Sequence, residues 1–259
     1  MDYTTITLQI RDAIAVITLN RPDKYNALTG QMRAELTHAV RHAPQEGARV
    51  LVMTGAGKAF CSGQDLGDRA NAANPDLERT LREEYAPLIL AITDCPLPVI
   101  AAVNGPAAGA GANLALAADV VIAAESAYFL QAFTRIGLIP DAGGTWVLPR
   151  QAGFARAMGA SLFAEKIPAR QAEAWGMIWE AVEDDAFDSH WKSRAAQLAQ
   201  GPTEAYKAVK AAIRQSFEND LETQLSVEAR LQGGCGKTRD FQEGVLAFLE
   251  KRPATFEGR

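Results

Sequence analysis

The chain has 259 residues, of which 48% are hydrophobic and 22% charged, and its formal net charge is -5. This composition is typical of a globular protein with a full hydrophobic core. The acidic balance argues against nucleic-acid binding, so any anionic ligand must be held by a local group of basic residues. The three widely spaced cysteines show no metal-ligand pattern and indicate a reducing compartment. Since the N-terminal residues also lack a signal-peptide pattern, we expect a cytoplasmic location.

The first elements predicted along the chain are two strands and a charged loop. Residues 6–10 and 14–20 predict a strand pair that turns at Arg11 and Asp12. The loop that follows the second strand carries Arg21 and Lys24. These two residues are either solvated surface charges or contacts for an anionic ligand, and their spacing does not decide between the two roles.

A helix and a buried strand come next. Met32, Leu36 and Val40 recur every four residues and predict a helix over 29–42. His38 and His42 lie one turn apart on it, but they lack an H-E-x-x-H frame, so we expect no metal site. Residues 50–54 predict a buried strand, and a glycine-containing loop over 55–66 follows it.

The most informative stretch is 98–124, which begins and ends as a strand. Residues 99–103 predict the first strand and residues 120–124 the second, with a turn and a helix of small residues over 109–117 between them. Gly109, Ala110 and Gly111 leave the backbone at the helix start nearly bare. A ligand oxygen that develops negative charge can therefore approach the N–H groups there.

Two other interpretations of this stretch are disfavoured, and a third stays open. Residues 95–118 carry no charge, but Asn104, Asn113 and several prolines and glycines argue against a membrane span. A dinucleotide-binding G-x-G-x-x-G pattern fails because position 114 is Leu. The glycines could also serve only to let the helix pack closely on the strand.

Residues 76–92 predict a helix before the central stretch, and Asp141 precedes another helix after it. Asp141 follows a proline and precedes Gly143 and Gly144, where an Asp is often a helix N-cap. A carboxylate near a carbon that loses a proton would instead act as a general base. Both roles stay open at this point.

The alternation of strands and helices predicts an α/β domain over residues 1–200. Residues 201–259 show no strand signal and predict three amphipathic helices, over 204–218, 221–231 and 238–251. This region has too few residues to bury the apolar faces of its three helices within one chain. We therefore expect a helical oligomerisation region.

Four motifs in order give the chain a resemblance to the crotonase superfamily, the enoyl-CoA hydratases and isomerases, over essentially its whole length. They lie at residues 19–28, 59–66, 102–119 and 139–144. The resemblance implies a spiral of ββα repeats with a C-terminal helical trimerisation region. It also implies an acyl-CoA substrate, no separate cofactor because coenzyme A is part of that substrate, and a homotrimer or a dimer of trimers. Neither nucleic acid nor a membrane is expected as a partner.

By motif position, the resemblance also implies the site residues. The backbone N–H groups of Gln64 and Ala110 would form an oxyanion hole for the thioester oxygen. Arg21 and Lys24 would flank the nucleotide end of coenzyme A, with Lys251 and Phe248 supplied by a neighbouring subunit. The remaining substrate-binding positions would be Ala27, Ala59, Asp65, Leu66, Gly109, Asn113 and Phe133.

The departures from the family pattern bear on the reaction. Hydratases of the family carry two glutamates where this chain has Asn113 and Phe133, and neither of these can act as a base. Asp141 stands where several isomerases of the family carry their working aspartate, and residues 137–146 and 175–179 are most similar to the isomerases of phenylacetate degradation. We therefore expect an acyl-CoA isomerase that uses Asp141. An enoyl-CoA hydratase of β-oxidation and a non-catalytic CoA-binding protein are the alternatives.

Overall fold

The computed structural model describes residues 2–67 and 76–259, which form two β-sheets surrounded by helices. The strands in this part of the chain are β1 (Ile6–Arg11), β2 (Ile14–Leu19), β3 (Val50–Gly55), β4 (Val99–Val103), β5 (Ala107–Ala108), β6 (Val120–Ala124), β7 (Tyr128–Leu130), β8 (Lys166–Pro168) and β9 (Glu180–Val182). The helices are α1 (Gly30–His42), α2 (Leu77–Thr80, a π-helical segment Leu81–Tyr85, then Ala86–Thr93), α3 (Ala110–Leu116), α4 (Gly144–Ala152), α5 (Phe154–Phe163), α6 (Ala169–Ala174), α7 (Asp184–Ala199), α8 (Thr203–Gln215), α9 (Leu221–Cys235) and α10 (Arg239–Glu250).

The larger sheet has the strand order β1-β2-β3-β4-β6-β9, and the smaller one the order β5-β7-β8. In the larger sheet β1 and β2 are antiparallel and every other neighbouring pair is parallel. The chain passes from β4 to β5 and α3, and then from β6 to β7 and α4, so each turn adds one strand to each sheet before a helix. The expected α/β fold with ββα repeats is therefore confirmed.

The central strands of the larger sheet are covered on both faces. Every residue of β4 is buried, as are Val50, Leu51, Val52 and Met53 in β3. A parallel sheet that packs helices on both faces needs apolar residues at consecutive positions, and these runs supply them. The site described below lies where β3 and β4 end.

The N-terminal hairpin turns one residue later than the sequence predicts. Arg11 pairs with Ile14, so the turn residues are Asp12 and Ala13 rather than Arg11 and Asp12. Both turn residues have positive φ, at 52° and 61°. A two-residue turn of this kind matches the twist of the flanking strands, and that match fixes the register.

Helix starts agree with the sequence at two places and differ at a third. Thr29 and Asp76 cap α1 and α2 with their side chains, as the predicted starts require. The helix expected to open at Asp141 begins at Gly144, and its N-cap position is taken by Gly143, which has no side chain. The N-cap interpretation of Asp141 is therefore wrong, because Gly143 at φ 84° turns the chain into the helix.

The three C-terminal helices α8, α9 and α10 form as predicted, and residues 201–259 contain no strand. Helix α8 is joined to the turn before β6 by two ion pairs: Lys210 Nζ lies 2.7 Å from Asp119 Oδ2, and Arg214 Nη2 lies 2.8 Å from Asp119 Oδ1. The division into regions 1–200 and 201–259 stays a prediction. In the part of the chain that the structure describes, no helix has the length and apolar character to cross a membrane.

Candidate active site

The loop after β3 and the segment before α3 lie against each other through their backbones. Cys61 forms a parallel bridge with Ala107, and the Ala108 N–H donates to the Cys61 carbonyl at 2.9 Å. A Cβ at Gly111 would lie 2.3 Å from the same carbonyl oxygen, so a glycine is required there. The structure thus brings together the two glycine-containing loops that the sequence singles out.

Two backbone N–H groups stand next to each other at this contact. The Leu28 N–H donates to the Gly63 carbonyl at 2.7 Å and the Asp65 N–H donates to the Leu28 carbonyl at 3.0 Å, so the Gln64 N–H between them points away from Leu28. A Cβ at Gly63 would lie 3.5 Å from the Ala110 nitrogen. Within residues 2–67 and 76–259, neither the Gln64 nor the Ala110 N–H donates to a protein acceptor. Such a pair suits an oxygen that gains negative charge.

Gly109 sets the direction in which α3 begins. Its φ of 54° and ψ of -130° are values that residues with a Cβ rarely adopt. Its N–H donates to the Leu130 carbonyl at 2.7 Å, which ties the helix start to β7. The buried ring of Phe133 lies 3.9 Å from where a Cβ of Gly109 would be, so this predicted residue packs beside the helix start.

Asp141 is held against α3 by a fully buried amide. Asn113 Nδ2 donates to the Asp141 backbone carbonyl at 2.7 Å, and Gln131 Nε2 donates to Asn113 Oδ1 at 2.9 Å. Asn113 lies three residues after Ala110, which is nearly one turn of the helix. These bonds therefore attach the Asp141 backbone to a residue that lies one helical turn after Ala110.

A largely apolar cavity of about 400 Å³ adjoins this segment, between α3, α4 and α8. Asn113, Ala142 and Gly143 belong to its wall, together with the rings of Trp146 and Phe217. None of Gln64, Ala110 and Asp141 lines it. The cavity therefore meets the Asp141 segment at Ala142 and Gly143.

Of the two cations that the sequence singles out, Arg21 is engaged with protein groups. Its Nη1 lies 2.8 Å from Asp65 Oδ2 and donates to the Ala27 carbonyl at 2.5 Å. Burial alone would raise the pKa of Asp65, but the hydrogen bonds from Arg21 and from the Gly67 N–H, with the charges of Arg21 and Lys24, lower it overall. Lys24 is exposed beside this pair. Arg21 thus fixes the loop, while Lys24 faces solvent.

The remaining predicted substrate-binding residues fall into two regions. Ala27 and Ala59 are buried in the paired loops, and Leu66 is exposed at the end of the second one. Phe248, at 83% exposure, and Lys251 lie at the end of α10. No hydrogen bond or ion pair among the described residues joins α10 to the loop with Arg21 and Lys24.

The two histidines weighed as a metal site have other neighbours. The Tyr3 hydroxyl lies 2.8 Å from His38 Nδ1, and His42 Nε2 lies 3.2 Å from a carboxylate oxygen of Glu46. The described part of the chain contains no cluster of three or more His, Cys, Asp or Glu side chains suited to a metal ion.

Two residues that the sequence did not single out contact the Gln64 side chain. Arg33 Nη1 donates to Gln64 Oε1 at 2.8 Å, and the Tyr85 hydroxyl donates to the same oxygen at 2.6 Å. The position of Arg33 could have been noticed in the sequence, because it falls three residues before Leu36 and seven before Val40 and so lies on the apolar face of the helix. For Tyr85, no sequence feature distinguishes it from a core aromatic residue.

Comparisons with known proteins show similarity along nearly the whole chain. The family model described as enoyl-CoA hydratase/isomerase matches residues 9–259. A protein of Rhodobacter capsulatus named "Probable enoyl-CoA hydratase" is 63% identical over 259 residues, covering 100% of both chains. The 1,2-epoxyphenylacetyl-CoA isomerase of Escherichia coli is 44% identical over 258 residues, covering 98% of each. The crystal structure of an enoyl-CoA hydratase from Bacillus anthracis aligns with a TM-score of 0.92 at 34% identity, covering 99% of this chain and 100% of that one.

Proposed function

The chain belongs to the enoyl-CoA hydratase/isomerase family, and on this basis we propose that it is an isomerase of acyl-CoA thioesters. The proposed reactions are the conversion of 1,2-epoxyphenylacetyl-CoA to oxepin-CoA and the shift of an enoyl-CoA double bond from position 3 to position 2. The observation that carries the proposal is the adjacent pair of Gln64 and Ala110 N–H groups, together with the Asn113 side chain that binds the Asp141 carbonyl from the same helix as Ala110.

In the first step, the thioester oxygen accepts hydrogen bonds from the Gln64 and Ala110 N–H groups. When a proton leaves the neighbouring carbon, its electron pair moves toward this oxygen and gives an enolate. Donors that already point at the developing charge contribute roughly 3–4 kcal/mol each to lowering the barrier. The backbone supplies them, so coenzyme A enters only as part of the substrate and no other cofactor is needed.

Asp141 moves the proton. With a 3-enoyl-CoA, its carboxylate removes a proton from carbon 2 and returns it to carbon 4, while the electron pair of the enolate forms the double bond between carbons 2 and 3. With the ring epoxide, the same enolate stabilisation assists opening of the strained ring and its expansion to the oxepin. The apolar cavity beside Ala142 and Gly143 suits an apolar acyl group.

A hydratase is the second candidate, favoured by the name of the relative with 63% identity. The resemblance puts the two hydratase glutamates at Asn113 and Phe133. The Asn113 amide donates to the Asp141 carbonyl and accepts from Gln131, and it has no basic group. We therefore expect the purified protein to isomerise 3-enoyl-CoA and 1,2-epoxyphenylacetyl-CoA faster than it hydrates 2-enoyl-CoA in parallel assays.

The decisive variant is Asp141→Asn, which keeps the size of the side chain and removes the base. Turnover of both isomerase substrates should fall by about 10²–10⁴-fold while the affinity for acyl-CoA stays within a few-fold of the parent value. Steady-state kinetics and equilibrium binding measure the two quantities. A folded Asp141→Asn protein that isomerises at the parent rate would contradict the proposal.

A further inference from the structure

Gln64 is held in place by hydrogen bonds that do not use its own backbone N–H group. The Leu28 N–H donates to the carbonyl of Gly63, the residue before Gln64, and the Leu28 carbonyl accepts from the N–H of Asp65, the residue after it. The side-chain oxygen Oε1 accepts from the Tyr85 hydroxyl at 2.6 Å and from Arg33 Nη1 at 2.8 Å. The direction of the Gln64 peptide therefore depends on both its backbone neighbours and its side chain.

Arg33 connects these contacts into one network. The same Nη1 atom donates to the Leu28 carbonyl at 3.1 Å, so one guanidinium holds both Gln64 and the residue that pairs with it. Arg33 is only 4% exposed, and Glu84 balances its charge with oxygen Oε2 at 2.5 Å from Nη2 and 3.1 Å from Nε. A charge buried at this depth needs such a complete set of partners.

Tyr85 supplies the second contact from a different helix. It is 3% exposed, and the guanidinium of Arg33 lies 4.6 Å from the centre of its ring. Burial raises the pKa of the Tyr85 phenol above its ordinary value, and the nearby charge of Asp141 raises it further against the opposing effect of Arg33. The hydroxyl is thus kept protonated, as a donor to Gln64 must be. Glu84 and Tyr85 both belong to the π-helical segment of α2, a conformation often found at functional sites.

We propose that Arg33 and Tyr85 are positioning residues, which hold the Gln64 side chain so that its backbone N–H stays aimed at the substrate's thioester oxygen. This inference rests on the proposed function to the extent that Gln64 donates to that oxygen. Neither residue touches the reacting atoms, and both act through Gln64 Oε1.

The test uses Tyr85→Phe, which keeps the ring and removes the hydroxyl, and Arg33→Lys, which keeps the charge and removes some of the N–H donors of the guanidinium. Loss of these hydrogen bonds to Gln64 Oε1 should reduce kcat of the isomerisation roughly 10- to 100-fold with little change in KM. Glu35→Gln is the matched control. Glu35 lies on the same helix, is 3% exposed and accepts hydrogen bonds from Thr4 and Thr5, so its loss should lower stability and leave kcat unchanged.

A double-mutant cycle separates positioning from general loss of structure. If Tyr85 acts through Gln64 Oε1, then Gln64→Met combined with Tyr85→Phe should reduce kcat no further than the stronger single substitution does. Additive losses would show that Tyr85 acts independently of Gln64 and would overturn the inference.

A spectroscopic readout removes the dependence on turnover. A conjugated aryl-acrylyl thioester of coenzyme A absorbs at longer wavelength when its carbonyl is polarised, so binding to the parent protein should shift its absorption to the red. Tyr85→Phe and Arg33→Lys should reduce this shift at unchanged affinity. An undiminished shift and undiminished kcat in both variants would overturn the positioning role. A parent protein that shifts the spectrum without isomerising would contradict only the isomerase proposal, whereas one that produces no shift would contradict both.

Discussion

Among single residues, Arg33 and Glu35 are two buried charges on α1 that bind different segments of the chain. Arg33 faces the loop with Gln64, while Glu35 faces the start of β1 and accepts hydrogen bonds from Thr4 and Thr5. Each is compensated by partners from distant parts of the chain. A buried charge is tolerable only with such compensation, so both positions tie α1 to a second segment.

The Glu35 carboxylate should make stability depend on pH. Burial opposes its ionisation, but the hydrogen bonds from Thr5, Thr4 and Gln31 outweigh burial and lower the pKa to about 2 from an ordinary value of 4.5. Because the pKa is lower in the folded state, the stabilisation is complete above about pH 4.5 and is lost as pH falls toward 2. It amounts to about 3 kcal/mol at most at neutral pH.

Denaturant unfolding between pH 7 and pH 3 checks this expectation. Glu35→Gln should be less stable than the parent at pH 7, and the difference should shrink as the pH falls. Glu78→Gln replaces a carboxylate that is 75% exposed and serves as the control. A constant difference between Glu35→Gln and the parent would count against the assigned hydrogen bonds.

At the scale of elements, the contact between the loop after β3 and the start of α3 depends on a helical glycine. A Cβ at Gly111 would lie 2.3 Å from the Cys61 carbonyl oxygen and 2.7 Å from its Sγ, and neither group has a flexible end that can move away. Gly233 in α9 is a helical glycine of the opposite kind, because a Cβ there meets no atom within 4 Å.

These two glycines should therefore respond oppositely to the same change. Gly111→Ala should destabilise the fold by roughly 1–3 kcal/mol and impair the site, because the paired loops must separate. Gly233→Ala should stabilise it by about 0.4–1 kcal/mol, since alanine restricts the unfolded chain and favours a helix. Urea unfolding compares both with the parent, and equal effects would show that the loop contact is looser than described.

At the scale of the whole molecule, the C-terminal helices leave large apolar side chains in solvent. The most exposed are Leu221 at 74%, Phe248 at 83% and Leu249 at 71%, and Phe154 and Phe163 on α5 are similarly exposed at 74% and 75%. An apolar surface of this extent on a single chain is typical of a protein interface. We expect a homotrimer or a dimer of trimers, a closed symmetric assembly.

Analytical ultracentrifugation at micromolar concentration measures the mass of this assembly, and a monomer would refute the expectation. The assembly also bears on how coenzyme A is held, because Lys251 and Phe248 are not bonded to the Arg21 and Lys24 loop of their own chain. If a neighbouring copy supplies them, Lys24→Ala and Lys251→Ala should each weaken the binding of CoA thioesters. Unchanged affinity in both variants would remove these lysines from the site.

Features that depend on local pattern could be predicted from the amino-acid sequence alone. The apolar runs of β3 and β4 predict buried strands, the spacing of Met32, Leu36 and Val40 predicts α1, and Thr29 and Asp76 mark helix starts. The four motifs, in their order along the chain, also indicated the family and the peptides that could form the site. Each of these patterns and motifs is a short stretch of residues close together in the chain.

Features that depend on partners distant in the chain could not be predicted and became visible in the folded structure. Asp141 is not an N-cap, because Gly143 turns the chain into α4 and Asn113, 28 residues earlier, binds the Asp141 carbonyl. The hydrogen bonds of Arg33 and Tyr85 to Gln64 bring together positions up to 52 residues apart, the separation of Arg33 and Tyr85. No local sequence pattern predicts such a contact. Hydrogen bonds and buried charges are satisfied by whichever groups the fold brings within about 3 Å, and that proximity exists only once the chain is folded.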